Sequence, residues 1–201
     1  MKIFTSWDDG HIEDLRLAEM FKSYSLPAIF FLSNAGLELS ISNIENLSKD
    51  FEIGGHTTSH PSDIKIIPKE YLENDIKANK QYLEDIIRKP IDWFCYPRGR
   101  YNQETIDVVK DAGYKYARTT LVGHTNLNED SYRIHTTVHA HPHRQEYQGK
   151  NWVEYAKEKL LEAKLKNGYF HLWGHSYEIE KFSLWNELEQ LLKFIYEHKN
   201  N

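Results

Sequence analysis

The sequence predicts an α/β fold in which parallel strands close into a small, irregular barrel. Two observations support this fold class. Short apolar or β-branched runs of strand length alternate with longer segments of helical periodicity along the whole chain. The 201 residues also contain no repeat, no low-complexity stretch and no linker rich in Pro, Gly or Ser, so we expect a single domain over residues 1–201. A flat, doubly wound sheet is the alternative that this pattern leaves open.

The individual elements follow from periodicity and from residues typical of helix ends. Seven segments have the composition of buried strands: 2–6, 28–33, 51–54, 91–95, 114–119, 133–139 and 169–173. Six segments have helical periodicity: 13–24, 42–49, 68–88, 102–112, 151–166 and 182–197. Ser42 with Glu45 and Asn151 with Glu154 have capping-box spacing, and Pro68 suits a first helical turn.

Composition excludes several classes of function. A formal net charge of -5 and a pI near 6.1 give no electrostatic basis for binding phosphate backbones, so we expect no nucleic-acid partner. The longest apolar run, Ala28 to Leu32, is far below the roughly 20 residues that cross a bilayer, so we expect no membrane span. If Met1 is the native start, we expect a cytoplasmic protein, and the lone Cys95 fits a reducing compartment.

Residues that follow the first and third predicted strands have the chemistry of a metal site. Parallel α/β folds gather their sites at the carboxyl ends of strands. Asp8 and Asp9 follow the first strand, and His56 and His60 follow the third. On one helical turn the two imidazoles would share a face and reach one ion. Two histidines and one carboxylate form a facial ligand set for a divalent metal, although helix capping and surface histidines are the simpler alternatives.

Two further strand ends contribute candidate site residues. After the fourth strand, the loop that contains Tyr96 and Arg98 can line the site and supply a backbone N–H to an oxyanion. The last strand leads through Trp173 to His175. We expect His175 to donate a proton to a leaving group, because an imidazole titrates near the working pH. Tyr96, Tyr101 and Trp173 are the aromatic residues that we expect near a substrate.

These motifs, in this order, resemble the polysaccharide deacetylase family, carbohydrate esterase family 4, over essentially the whole chain. The matching motifs are Ser6-Trp7-Asp8-Asp9-Gly10, His56-Thr57-Thr58-Ser59-His60 and, with one extra residue, Leu172-Trp173-Gly174-His175. The resemblance implies that Asp8 is the general base, that His175 is the general acid, and that Asp9, His56 and His60 bind a divalent metal, with Zn²⁺ as the first choice. It also implies a distorted (β/α)7 barrel.

Two motifs of the family are altered in this sequence. Cys95 stands where the third motif has the arginine that orients the base, and Arg98 stands where it has a tyrosine. We expect Arg98 or Arg118 to replace the missing arginine, and the backbone N–H of Arg98 to serve the oxyanion. The fourth motif, which tunes the acid histidine, has no match, so the partner of His175 is left open. Substrate identity is therefore not carried over from chitin or peptidoglycan enzymes.

The chemistry implied by the resemblance is metal-assisted hydrolysis of an N-acetyl group on a sugar or oligosaccharide substrate. A hydrolase of another small amide C–N bond and a non-catalytic carbohydrate-binding barrel are the alternatives. Retention of the base, the three ligands and the acid argues against the binding barrel. The histidine-rich segment 135–143 has no assigned role: if extended, it presents four histidines on one face, either as a polar strand surface or as substrate or metal contacts.

Overall fold

The structure is a computed structural model that describes residues 1–126 and 130–199. Within these ranges a seven-stranded parallel sheet has the spatial order β5-β4-β3-β2-β1-β7-β6. The strands lie close to their predicted positions: β1 (Lys2–Asp8), β2 (Ile29–Leu32), β3 (Glu52–Gly55), β4 (Trp93–Cys95), β5 (Tyr116–Arg118), β6 (Val138–His139) and β7 (Tyr169–Gly174).

The barrel closes through an extended segment, residues 131–140, which joins β5 to β7. Its first half pairs with β5, where the amide of Ile134 donates to the carbonyl of Ala117 at 2.9 Å. Its second half pairs with β7, where the amide of Thr137 donates to the carbonyl of His171 at 2.9 Å. The strand predicted in this segment is reduced to β6 because the backbone changes neighbours midway. The curled sheet matches a distorted (β/α)7 barrel and excludes the flat alternative.

Helices follow most of the strands and pack on the outside of the sheet. They are α1 (Asp14–Ser23), α2 (Ile41–Asp50), α3 (Lys69–Ile87), α4 (Gln103–Asp111), α5 (Trp152–Leu165), α6 (Ser176–Lys181) and α7 (Trp185–His198). Within residues 1–126 and 130–199, none of them combines the length and the hydropathy needed to span a bilayer.

Two features of the helices differ from the prediction. The cap of α2 is Ser40, because its hydroxyl accepts from the amide of Asn43 (3.2 Å) while the Asn43 side chain accepts from the amide of Ser40 (3.0 Å). Ser42, the predicted cap, lies inside the first turn. The helix predicted over 182–197 is α7, and the short helix before it, α6, was not predicted; Ser183, which has a φ of 55°, separates the two. The first of these helices carries a residue of the candidate site.

The strands present both apolar and polar side chains to the barrel interior. The inner apolar cluster is small and separate from the large core between sheet and helices; it consists of Phe4, Ile29, Phe31, Trp93 and Cys95. Polar side chains buried on β1, β5, β6 and β7 are Ser6, Asp8, Arg118, His139 and His171. Buried polar groups destabilise a fold unless they are paired. Ser6 bonds to His171, Asp8 to Arg118, and His139 to Glu178. Asp8, Arg118 and His139 are the last residues of β1, β5 and β6, at the carboxyl end of the sheet.

β3 ends in two glycines because neighbouring side chains approach its backbone closely. A Cβ atom on Gly54 would lie 2.4 Å from the ring of Phe31, and one on Gly55 would lie 2.0 Å from the hydroxyl oxygen of Tyr114. The next residue, His56, donates its amide N–H to Oδ1 of the buried Asn79 at 2.9 Å. Close packing thus fixes where the chain leaves β3.

Candidate active site

The two adjacent aspartates end β1 and reach the same cavity. Successive side chains of a strand point to opposite faces, but Asp9 has a left-handed backbone (φ 83°), so its side chain need not continue that alternation. Asp8 is 2% exposed inside the barrel, whereas the side chain of Asp9 is 25% exposed at the mouth. The structure therefore separates them into one buried and one accessible carboxylate, as different roles require.

His56 and His60 leave β3 on a loop, not on the helical turn that their spacing predicted. Thr57 and His60 have positive φ values of 66° and 45°, which interrupts any helix. The hydroxyl of Thr57 accepts a hydrogen bond from the amide of His60 at 3.0 Å and closes the loop. The imidazole rings of His56 and His60 lie 4.8 Å apart. The two imidazoles therefore lie together as expected, but a loop brings them together and not a helical turn.

Asp9, His56 and His60 bring three potential ligand atoms together. Oδ1 of Asp9 is 3.5 Å from Nε2 of His56 and 3.4 Å from Nε2 of His60. Tetrahedral coordination with bonds of about 2.0–2.1 Å places neighbouring ligand atoms about 3.3 Å apart. Oδ1 of Asp9 is buried and has no hydrogen-bond partner among the described residues. A carboxylate oxygen left without a donor between two imidazoles fits a divalent cation.

The surroundings of His56 leave its Nε2 atom available to a metal. Its Nδ1 atom lies 2.7 Å from the carbonyl oxygen of Cys95, and that acceptor assigns the proton to Nδ1. Burial lowers the pKa of His56 and outweighs the opposite effect of Asp8 and Asp9. His56 is therefore a neutral imidazole with its lone pair on Nε2, which is the form that binds metals.

Arg118 of β5 takes the place of the arginine missing from the third motif. Its Nη2 atom contacts both carboxylate oxygens of Asp8, and both side chains are buried. The same Nη2 lies 2.8 Å from Sγ of Cys95. Burial raises the pKa of Asp8, but Arg118 together with nearby histidines outweighs it, so the pKa is lowered. Of the two arginines considered from sequence, Arg118 makes this contact and Arg98 does not.

Glu178 is the partner of His175 that the sequence left open. Its Oε2 atom accepts from Nδ1 of His175 at 2.7 Å and lies 3.0 Å from Nε2 of His139. Nε2 of His175 therefore faces the metal ligands, 3.8 Å from Oδ2 of Asp9. Burial lowers the pKa of His175, but Glu178 and the aspartates outweigh burial and raise it. Sequence reasoning missed Glu178 because it did not predict α6, whose first turn sets the His175–Glu178 spacing.

A cavity of about 340 Å³ opens over these groups. Its lining residues are Asp8, Asp9, His56, His60, Arg98, Thr120, Arg144, Trp173, His175 and Tyr177. Two aromatic residues expected near the substrate, Tyr96 and Tyr101, do not line this cavity. The side chain of Tyr96 is fully buried, its hydroxyl donates to the carbonyl of Tyr132 at 3.0 Å, and its ring stacks on that of Tyr101 with centroids 4.8 Å apart. Trp173 forms one wall, and its ring stacks on His139 with centroids 3.9 Å apart.

The histidine-rich segment does not present one face. His139 points into the barrel, where it bonds to Glu178, and His141 lies 3.7 Å from the other oxygen of the same carboxylate. The ring of His143 packs against Phe182. His135 instead shares a hydrogen bond with the hydroxyl of Thr119, the residue after β5. The segment therefore supports the Glu178 side of the site through His139 and His141, whereas His135 lies elsewhere.

The model of the family described as polysaccharide deacetylase matches residues 2–117, which is more than half of the chain. The chain belongs to the polysaccharide deacetylase family. The matched region contains Asp8, Asp9, His56 and His60 and ends before His175. Family membership supports deacetylase activity in general.

The relatives are distant and longer than this chain. Peptidoglycan-N-acetylglucosamine deacetylase of Bacillus cereus is 28% identical over 121 residues, which are 56% of this chain and 54% of that protein. Overall, the chain spans between 34% and 54% of the length of the curated relatives it matches.

Solved structures of the family share the fold at low sequence identity. The Streptococcus pyogenes deacetylase PplD, in complex with acetate, has a TM-score of 0.58 and 19% identity, over 66% of this chain and 62% of its own. A family 4 pseudoenzyme of Bacillus anthracis has a TM-score of 0.66 and 14% identity, over 99% of this chain and 61% of its own. These likenesses establish the fold alone, because the same barrel serves a deacetylase and a pseudoenzyme.

Proposed function

We propose that this chain is a metal-dependent hydrolase that removes the N-acetyl group from an acetylated sugar or glycan. One observation carries the proposal: the Asp9, His56 and His60 ligand set shares one cavity with Asp8 and His175. Two imidazoles and one carboxylate suit a borderline divalent metal, so we propose Zn²⁺ as the ion. When bound, such an ion polarises the amide carbonyl and lowers the pKa of water.

The residues around the ligand set have the protonation states that amide hydrolysis needs. Asp8 stays ionised beside Arg118 and accepts a proton from the attacking water. His175, with its pKa raised by Glu178, holds a proton that it gives to the departing amine. An amine leaves poorly unless it is protonated, so His175 matters most for an amide substrate.

Two further groups can orient the acetamide. Arg98 is the second residue of the turn Pro97–Gly99, so its amide N–H has no acceptor within that turn and is available to the carbonyl oxygen of the substrate. The indole N–H of Trp173 is buried at the cavity wall and has no acceptor among the described residues. It can donate to a sugar hydroxyl or to the acetyl group.

Acetate release from zinc-loaded protein tests the proposal. Acetylated oligosaccharides and a panel of small non-sugar amides would be incubated with it, and acetate and free amine measured together. We expect equal amounts of acetate and amine from at least one acetylated sugar, loss of activity on chelation, and recovery when Zn²⁺ is restored. Turnover of the small amides alone would favour the other hydrolase. Zinc binding without turnover of any substrate would favour the non-catalytic barrel, a reading to which the pseudoenzyme with this fold gives weight.

Glu178→Gln will move the alkaline limb of the pH–rate profile to lower pH. The carboxylate of Glu178 raises the pKa of His175, and only the protonated imidazole can serve as the acid. Without the carboxylate of Glu178, the pKa of His175 falls and the imidazole loses its proton at a lower pH. We therefore expect the alkaline limb of the kcat/KM profile to shift by about one pH unit.

The matched control is Glu180→Gln, which changes the same charge on the same helix at a side chain that is 56% exposed. It should leave the alkaline limb in place. An unmoved limb in Glu178→Gln would mean that His175 is not the acid whose titration limits the rate.

A further inference from the structure

Two arginines line the same cavity as the candidate metal ligands. Arg98 follows β4 and Arg144 follows β6. Between them along the barrel wall, Thr120 follows β5, and a Cβ atom on Gly99 would lie 2.0 Å from its hydroxyl oxygen. The loops after β4 and β5 therefore touch. The three side chains occupy one arc of the mouth, whereas the metal ligands come from the ends of β1 and β3.

Neither arginine is neutralised in the way that Arg118 is. Arg98 is exposed, and no hydrogen bond or ion pair joins its side chain to residues 1–126 or 130–199. Arg144 donates from Nη2 to Glu146 at 2.9 Å on the outer side, while its Nε is buried and has no acceptor among the described residues. Guanidinium N–H groups left in this state are donors for an acceptor that the chain itself does not supply.

Two carboxylates of the site are engaged by other cations or donors, and the third belongs to the candidate ligand set. Asp8 contacts Arg118, Glu178 bonds to His139 and His175, and Asp9 lies between the two ligand histidines. The formal net charge of the chain is -5, so two arginines at one opening, of which Arg98 has no ion pair with the described residues and Arg144 pairs only with Glu146, do not reflect its composition. A divalent cation bound by the candidate ligands would make the electrostatic potential at this arc more positive.

We infer that the substrate carries an anionic group, a carboxylate or a phosphate, close to the acetamide that is cleaved, and that Arg98 and Arg144 bind it. The inference rests on the proposed deacetylase function and narrows its substrate class. Planar guanidinium forks match carboxylate and phosphate oxygens, and charge-assisted hydrogen bonds of this kind are stronger than neutral ones. The hydroxyl of Thr120 supplies a third donor on the same arc.

Three sugars that differ in charge test this inference: neutral N-acetylglucosamine, N-acetylmuramic acid with a carboxylate, and N-acetylglucosamine 1-phosphate. For each, kcat/KM is measured with zinc-loaded protein and the dissociation constant with zinc-free protein. We expect at least one charged sugar to be preferred about tenfold or more over the neutral one. The sugar that shows the preference tells a carboxylate from a phosphate.

Arginine variants assign the preference to these side chains. Arg144→Gln and Arg98→Gln should each reduce the ratio between charged and neutral sugar, Arg144→Lys should keep part of it, and Arg100→Gln should leave it unchanged. Arg100 is the matched control because it belongs to the same loop as Arg98 but pairs with Asp63 outside the cavity. Equal binding of all three sugars, or a preference that survives both glutamine variants, would overturn the inference.

The two proposals fail in different ways. If the neutral sugar is deacetylated as readily as the charged ones, the deacetylase function stands and the anionic substrate does not. If no sugar is turned over but a charged sugar binds more tightly in a manner that requires Arg98 and Arg144, the anion site stands and the deacetylase function does not.

Discussion

Asp8→Asn will lower kcat/KM for deacetylation by about 10²–10⁴-fold, because an amide cannot accept a proton from the attacking water. The variant should still bind metal, since Asp8 is not part of the proposed ligand set of Asp9, His56 and His60, and Arg118 contacts both of its carboxylate oxygens. Asp9→Asn, which makes the same change one residue later, should instead lose the metal. Acetate release and metal content measured on the same samples separate these two outcomes.

Stability must be controlled in this experiment, because Asp8→Asn leaves Arg118 buried without its carboxylate. The double variant Asp8→Asn/Arg118→Gln replaces the ion pair by two neutral amides. It should regain much of the stability that the single variant loses, but none of the activity. If it turned substrate over at a rate close to that of the wild type, Asp8 would not be the base.

Arg118→Gln will lower the free energy of unfolding at pH 7 by about 3–5 kcal/mol, because it leaves an uncompensated carboxylate in the barrel interior. Asp8 is 2% exposed, so water cannot replace the lost partner. The loss should be smaller in the double variant with Asp8→Asn, and urea unfolding of all four proteins measures the coupling. Arg100→Gln removes an exposed ion pair and should cost less than about 1 kcal/mol.

The loss in Arg118→Gln should also shrink as the pH falls from 7 towards 4. In the wild type the pKa of Asp8 lies below its ordinary value of 3.8, so the ion pair stabilises the fold above that pH and the stabilisation is lost only as the pH falls through the lowered pKa. Without Arg118, burial raises the pKa of Asp8, and protonation on acidification relieves the buried charge. A loss that stayed constant over this range would mean that Asp8 is not the group left uncompensated.

Local sequence patterns predicted much of the fold and the chemistry at the strand ends. Strand composition and helical periodicity placed the seven strands and most helices, because buried parallel strands have near-continuous apolar runs. Asp8, Asp9, His56, His60 and His175 were all found from their positions after strands. These residues could be found from sequence because functional side chains of parallel α/β folds lie at the carboxyl ends of strands.

Pairings between distant parts of the chain were harder to predict. Arg118 was one of two candidates to orient Asp8, and only the closed barrel shows that β5 brings it across to β1. Glu178 was missed because α6 is six residues long and too short to show a helical period. Tyr96 was expected at the cavity, yet it turns into the core, since a strand-end aromatic can face either way.

The division of the segment 131–140 between β5 and β7 could not be predicted for a similar reason. Its apolar and β-branched residues have strand composition throughout, but composition does not say which neighbour a strand will pair with. Closure of the barrel requires the backbone to leave one strand and join another, and this replaces a single predicted strand by a short one.

Metal content per chain, after reconstitution with Zn²⁺ and desalting, tests the proposed metal centre most directly. It would be measured for the wild type, for Asp9→Ala and His56→Ala, and for His139→Ala, which lies outside the proposed ligand set but belongs to a second group of potential ligands with His175 and Glu178. The proposed centre predicts about one tightly held ion in the wild type and in His139→Ala, and none in the two ligand variants. A wild type that holds no ion, or ligand variants that keep theirs, would contradict it.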